Sequence, residues 1–122
     1  MATQELKQLT SKPDVWDEHA HYSPDGTKIV WVSSRGYPYD PTTFEEAARS
    51  LKLDYWLMDA DGSNKQRLSH FNEPGHNEYS GYPVITADSS WSPDGKKLVA
   101  TILSGRGRGN TMIAVIELNE DQ

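Results

Sequence analysis

Cysteine is absent from the 122 residues, which rules out disulfides, thiol catalysis and cysteine-ligated zinc. Positive charge is scarce. Twelve Lys and Arg stand against 18 Asp and Glu, for a formal net charge of −6. A general nucleic-acid binder needs a basic face to displace counterions, so nucleic acid is excluded as a general partner. Long apolar runs are missing as well. None approaches the roughly 20 residues of a membrane-spanning helix, so no membrane insertion is expected. Met1-Ala2-Thr3-Gln4-Glu5 has neither the basic stretch nor the apolar core of a signal peptide, and none is expected in these residues. The chain also lacks a Gly-x-Ser-x-Gly elbow, a His-Glu-x-x-His pair and a phosphate-cradling Gly-x-x-x-x-Gly-Lys. Apolar residues make up only 35%, a lean supply for a core, but four Trp and six Tyr add large buriable rings. The length suits one domain.

What the chain does contain is repetition. Tyr22-Ser23-Pro24-Asp25-Gly26 returns 69 positions later as Trp91-Ser92-Pro93-Asp94-Gly95, and Lys28-Ile29-Val30 lies over Lys97-Leu98-Val99. A second match sets Tyr55-Trp56-Leu57-Met58-Asp59 over Ile113-Ala114-Val115-Ile116-Glu117. A third joins Leu6-Lys7-Gln8-Leu9-Thr10 to Lys65-Gln66-Arg67-Leu68-Ser69. All three run in one cyclic order.

Each matched piece reads as a strand. Ser-Pro-Asp-Gly puts Pro where φ near −65° is wanted and Gly where φ is positive, which closes a tight hairpin. Asp59-Ala60-Asp61-Gly62 serves the same purpose between the next two strands. The runs 29–32 and 98–103 are nearly continuous apolar stretches, so both faces of each sheet are expected to be covered. Small antiparallel sheets stacked face to face point to an all-β chain of β-propeller blades, four strands to a blade. Residues 19–69 make a complete blade, with strands at 19–23, 28–33, 54–59 and 65–69. Residues 88–118 make three strands of a second, at 88–92, 97–103 and 111–118. Residues 5–10 form a lone outer strand that completes a blade by ring closure. Two blades cannot close a ring, so either a longer propeller or several copies sharing strands is implied.

The run Ser-Pro-Asp-Gly, Lys-Ile-Val-Trp and Tyr-Trp-Leu-Met-Asp-Ala-Asp-Gly-Ser-Asn-Lys-Gln-Arg-Leu resembles the repeat of TolB-like six-bladed propellers, the type found in the Tol biopolymer-transport protein. The likeness spans most of residues 19–35, 54–69 and 88–118. It implies a six-bladed ring and favours a periplasmic or extracellular setting. The motif marks the repeat and not one function, since such repeats also accompany peptidase and lyase chemistry. The insertions at 36–53 and 70–87 depart from the pattern.

Alternating strands sort the connections onto two sides. The turns at 23–26, 59–62 and 92–95 are short, whereas 11–18, 34–53, 70–87 and 104–110 are long and share the other side. Binding residues favour loops held on a rigid scaffold, so function is expected on the long-loop side. Thr43-Phe44-Glu45-Glu46 fits a capping box and predicts a short helix near 43–52. Trp16, Tyr37 and Tyr39 supply aromatic surface suited to a protein, peptide or carbohydrate ligand. Arg106 and Arg108, on a glycine-rich loop, could grip a carboxylate or phosphate. His19 and His21, two apart on one strand, join His76 as candidate ligands for a divalent metal, with Asp17, Glu18, Glu73 and Glu78 nearby in sequence. A hydrogen-bonded structural role is the ordinary alternative for each imidazole.

The leading reading is therefore a non-enzymatic propeller module that binds protein or another ligand and requires no cofactor. It assembles with copies of itself, three for six blades or four for eight. Two rivals stand beside it: a metal-dependent lyase or hydrolase using the histidines, and a structural fragment of a larger propeller.

Overall fold

The computed structural model describes residues 5–37, 51–104 and 111–119. Seven strands occur among them: β1 (Asp17–Tyr22), β2 (Lys28–Ser33), β3 (Asp54–Asp59), β4 (Gln66–Arg67), β5 (Val84–Trp91), β6 (Lys97–Ser104) and β7 (Thr111–Glu117). They form a four-stranded sheet in the order β1-β2-β3-β4 and a three-stranded sheet in the order β5-β6-β7. Every neighbour is antiparallel. No helix is present among the described residues.

The sequence repeat becomes a structural one. In the first hairpin Gly26 N–H donates to Ser23 O at 2.9 Å, and Thr27 N–H donates to the Asp25 carboxylate at 3.0 Å. In the second, Gly95 N–H donates to Ser92 O at 2.9 Å and Lys96 N–H to Asp94 at 3.0 Å. Gly26 and Gly95 sit at φ 75° and 73°, a region that L side chains rarely adopt. The likeness extends to an irregularity. β1 slips one residue against β2 between Glu18 and His21, and β5 slips one against β6 between Thr86 and Ser89. Asp17↔Ser33 and His21↔Val30 thus correspond to Thr86↔Ile102 and Ser90↔Val99 across the repeat. Each first strand carries the same β-bulge, which re-aims its side chains.

Packing follows from strand alternation. Val30, Val32, Tyr55 and Leu57 share one face of the first sheet and are buried with Leu98, Ala100, Ile102 and Val84 of the second. The opposite face of the first sheet carries Ile29, Trp31 and Met58, also buried, with Leu9 and Trp56 against them. In sequence register Ile29 corresponds to Leu98 and Val30 to Val99. Unlike faces meet: the Val30 side of one sheet lies on the Ile29-type side of the next.

Several sequence expectations need adjustment. β2 is buried on both faces, as its apolar run implies, but β6 is not. Val99, Ile113 and Val115 are 46%, 70% and 61% exposed, because no element among the described residues covers that side of the second sheet. The fourth strand shortens to Gln66–Arg67, although Leu68 N–H still donates to Tyr55 O at 2.8 Å. β5 begins four residues before the expected 88, since Val84 and Thr86 point into the core. Residues 5–10 form no strand, and none of them pairs with either sheet. Leu9 instead packs against Met58 and Trp31. The expected helix at 43–52 lies outside the described residues except for its last two, which are not helical.

Candidate functional site

On the long-loop side the segment after β4 is held down by a buried carboxylate. Asp54 opens β3 with no solvent exposure. It accepts from Ser69 Oγ at 2.6 Å, Phe71 N–H at 2.8 Å and Asn72 N–H at 3.3 Å. Burial pushes its carboxyl above the usual carboxylate range, and these donors work the other way. Asn72 locks the next step. Its amide donates to Leu53 O at 3.1 Å and Val84 O at 3.0 Å, and its oxygen accepts from Val84 N–H at 2.7 Å. One side chain thereby ties the loop to both sheets.

From this anchor the chain makes three successive turns. Glu73 N–H donates to His70 O, His76 N–H to Glu73 O and Tyr79 N–H to His76 O, at 3.3, 3.4 and 3.0 Å. Pro74 and Gly75 occupy the centre of the middle turn, where Gly75 takes φ 96°, as a type II turn demands. Turns closed every three residues stack side chains at that spacing. His70, Glu73 and His76 accordingly converge, with one ligating atom from each within 4.8 Å of the others. The two imidazoles stack with centroids 4.0 Å apart and planes 6° from parallel. Glu73 Oε2 lies 2.8 Å from His70 Nδ1 and 3.6 Å from His76 Nε2. Its carboxyl is held below the usual range, first by the hydrogen bond from His70.

Arg67 connects this group to the rest of the loop side. Its guanidinium donates to the Tyr37 hydroxyl, to Arg35 O at 3.0 Å and to Glu73 Oε2 at 3.3 Å. It also lies over the Tyr37 and Trp56 rings, 4.8 and 5.2 Å from their centroids. Burial, aided by the Asp54 charge, pushes the Tyr37 phenol up to about 12. Gly36 makes the close approach feasible, since a Cβ there would sit 2.7 Å from Arg67 Nη2.

His19 and His21 belong to a different cluster, at the bulge of β1. His21 Nε2 is 2.5 Å from Asp88 Oδ1 and His19 Nδ1 is 3.7 Å from it, so one carboxylate on β5 bridges the two sheets. The hydrogen bond from His21 holds Asp88 below the usual carboxylate range. His19 has φ 56°, a left-handed conformation imposed by the bulge. The expected grouping of His19, His21 and His76 is therefore not the one the fold assembles. His76 joins His70 and Glu73, and the other two join Asp88.

The remaining expected residues divide. Tyr37 faces Arg67 as described, whereas Trp16 packs half-buried against the core and pairs its backbone with Ser34. Tyr39, Arg106 and Arg108 lie outside the described residues. Sequence reasoning overlooked Arg67, Asp54 and Asn72. The 70/73/76 spacing around Pro74-Gly75 was a usable signal for the histidine pair, but nothing local marks the other three. A cleft of about 680 Å³ also opens on the short-turn side, between the two Ser-Pro-Asp-Gly hairpins, lined by Asp25, Lys28, Trp91, Asp94 and Lys96. It is solvent-open, and we assign the chemistry to the loop side, where donors converge. Among the described residues no helix is long and apolar enough to cross a membrane. No protein-family model matches the sequence, and no curated protein matches it either.

Proposed function

We propose that this chain is a segment of a TolB-like β-propeller, a non-enzymatic module whose long-loop side binds protein or another ligand, and that three copies close a six-sheet ring. The observation that carries the reading is the meeting of unlike faces. The Val30 side of the first sheet lies on the Leu98 side of the second, and Leu98 is the repeat equivalent of Ile29. Such a contact is heterologous, so the same step can be taken again. The next step would lay the open Val99, Ile113 and Val115 face against the Ile29 and Met58 face of another copy.

Two further features support it. Among the described residues β7 pairs only with β6, which leaves its other edge unpaired there. Leu9, which matches Leu68 in the sequence repeat, rests on the Ile29–Met58 cluster much as Leu68 rests on the core between the sheets. In this reading residues 5–10 serve as the outer strand of a sheet supplied from elsewhere, and β7 of a second copy is the matching edge. Burying a Val or Ile side chain fully is worth about 1.5–3 kcal/mol, so covering these three half-exposed ones contributes several kcal/mol per contact.

Light scattering on the purified chain tests the reading. A particle of three chains is expected, and deletion of residues 1–10 should convert it into aggregating or unfolded material. A stable, well-folded monomer would refute it.

A further inference from the structure

We propose that His70, Glu73 and His76 form a binding site for a zinc ion, through His70 Nδ1, Glu73 Oε2 and His76 Nε2. Zinc accepts imidazole nitrogen and carboxylate oxygen at about 2.0–2.2 Å in tetrahedral array, which puts neighbouring donors about 3.4 Å apart. The observed spacings of 2.8 and 3.6 Å from Glu73 Oε2 to the two ring nitrogens straddle that value. Rotation of the two imidazole side chains brings all three donors to that geometry. An imidazole ligates in its own plane, so entry of the ion tilts the two rings out of their 6° stack.

The surroundings suit an ion. The loop that carries the donors is fixed at its base by the buried Asp54 and Asn72, so most of the ordering is complete before the ion arrives. Arg67 reaches the same Glu73 oxygen at 3.3 Å. A carboxylate has about four acceptor sites, enough to hold a metal and keep this partner, which then orients it as an outer-shell group. His76 is solvent-exposed, which gives the ion a route in. Three protein donors leave the fourth position open to water or to a donor from a bound ligand. All three donors come from one chain, so the site does not depend on ring assembly.

Calorimetric titration of chelator-stripped protein with Zn²⁺ alone tests the site. One ion per chain is expected, taken up saturably. His76→Ala and His70→Ala should each weaken binding by about a hundredfold or more, and Glu73→Gln by at least about tenfold. The double variant His19→Ala with His21→Ala should bind as the parent does, because those rings face Asp88. Far-ultraviolet dichroism checks that each variant is folded. If His70→Ala unfolds, the visible spectrum of Co²⁺-loaded parent decides instead, intense bands being expected for a four-coordinate ion. Absence of saturable uptake, full binding by folded His76→Ala, or only the weak bands of hexaaqua Co²⁺ would overturn the proposal.

Discussion

Replacing Asn72 by alanine removes a side chain that touches both sheets and keeps the cost local enough to work out. Val84 N–H loses its acceptor at 2.7 Å, and Leu53 O loses its amide donor at 3.1 Å. Both residues are essentially buried, at 3% and 0% exposure. Val84 O still receives Leu53 N–H at 2.9 Å, and Asp54 still receives Ser69 Oγ and Phe71 N–H, so those acceptors are not orphaned. Two stranded backbone groups at about 1–3 kcal/mol each give a loss of about 2–6 kcal/mol. That is a large share of the roughly 5–15 kcal/mol that holds a domain together. Urea unfolding followed by tryptophan fluorescence, with parent and variant at one protein concentration, measures the difference. Asn77→Ala, five residues along on the exposed part of the same loop, should stay within about 0.5 kcal/mol of the parent. An Asn72→Ala midpoint equal to that of Asn77→Ala would refute the reasoning, since it would mean that the buried groups find other partners at no cost.

Tyr55→Phe should lose about 1–2 kcal/mol in the same assay, because the hydroxyl donates to Ala87 O at 2.8 Å and lies 3.2 Å from Thr101 O, bonds that cross between sheets into the β5 bulge. An unchanged midpoint would show that these bonds contribute nothing. Hydrogen bonds from the Thr27 backbone and side chain and from Ser23 hold Asp25 down to about 2. A carboxyl depressed on folding adds stability above its unfolded value near 4, and that stability is lost as pH falls through the folded value. Asp25→Asn should therefore flatten the decline in stability between about pH 4 and pH 2, and a parallel curve would argue against the turn's role. Asp54 has the opposite sign. Burial raises it, so its own titration favours the folded chain on the acid side, and stability drains away as pH rises through the raised value.

The hairpins were legible without any structure. Ser23-Pro24-Asp25-Gly26 and its copy at Ser92 determine their turns through local chemistry alone, a fixed proline φ, a glycine at positive φ and a carboxylate reaching amides two residues on. The apolar runs determined that β2 and β6 would be strands, and their repetition determined that two like sheets would form. Which residues meet across the molecule was decided only by tertiary structure. A one-residue bulge, which no pattern announces, interrupts β1 between Glu18 and His21, where His19 and His21 meet Asp88 while His76 groups with His70 and Glu73. The Asp54–Asn72 knot joins residues 18 apart through buried hydrogen bonds, and Arg67 finds Tyr37 from 30 positions away. Residues 5–10 carry the pattern of a strand, but a strand needs an edge to pair with, and they pair with neither sheet among the described residues. Local rules settle the conformation of a segment; the partner that satisfies its backbone and covers its apolar face is a property of the folded and assembled whole.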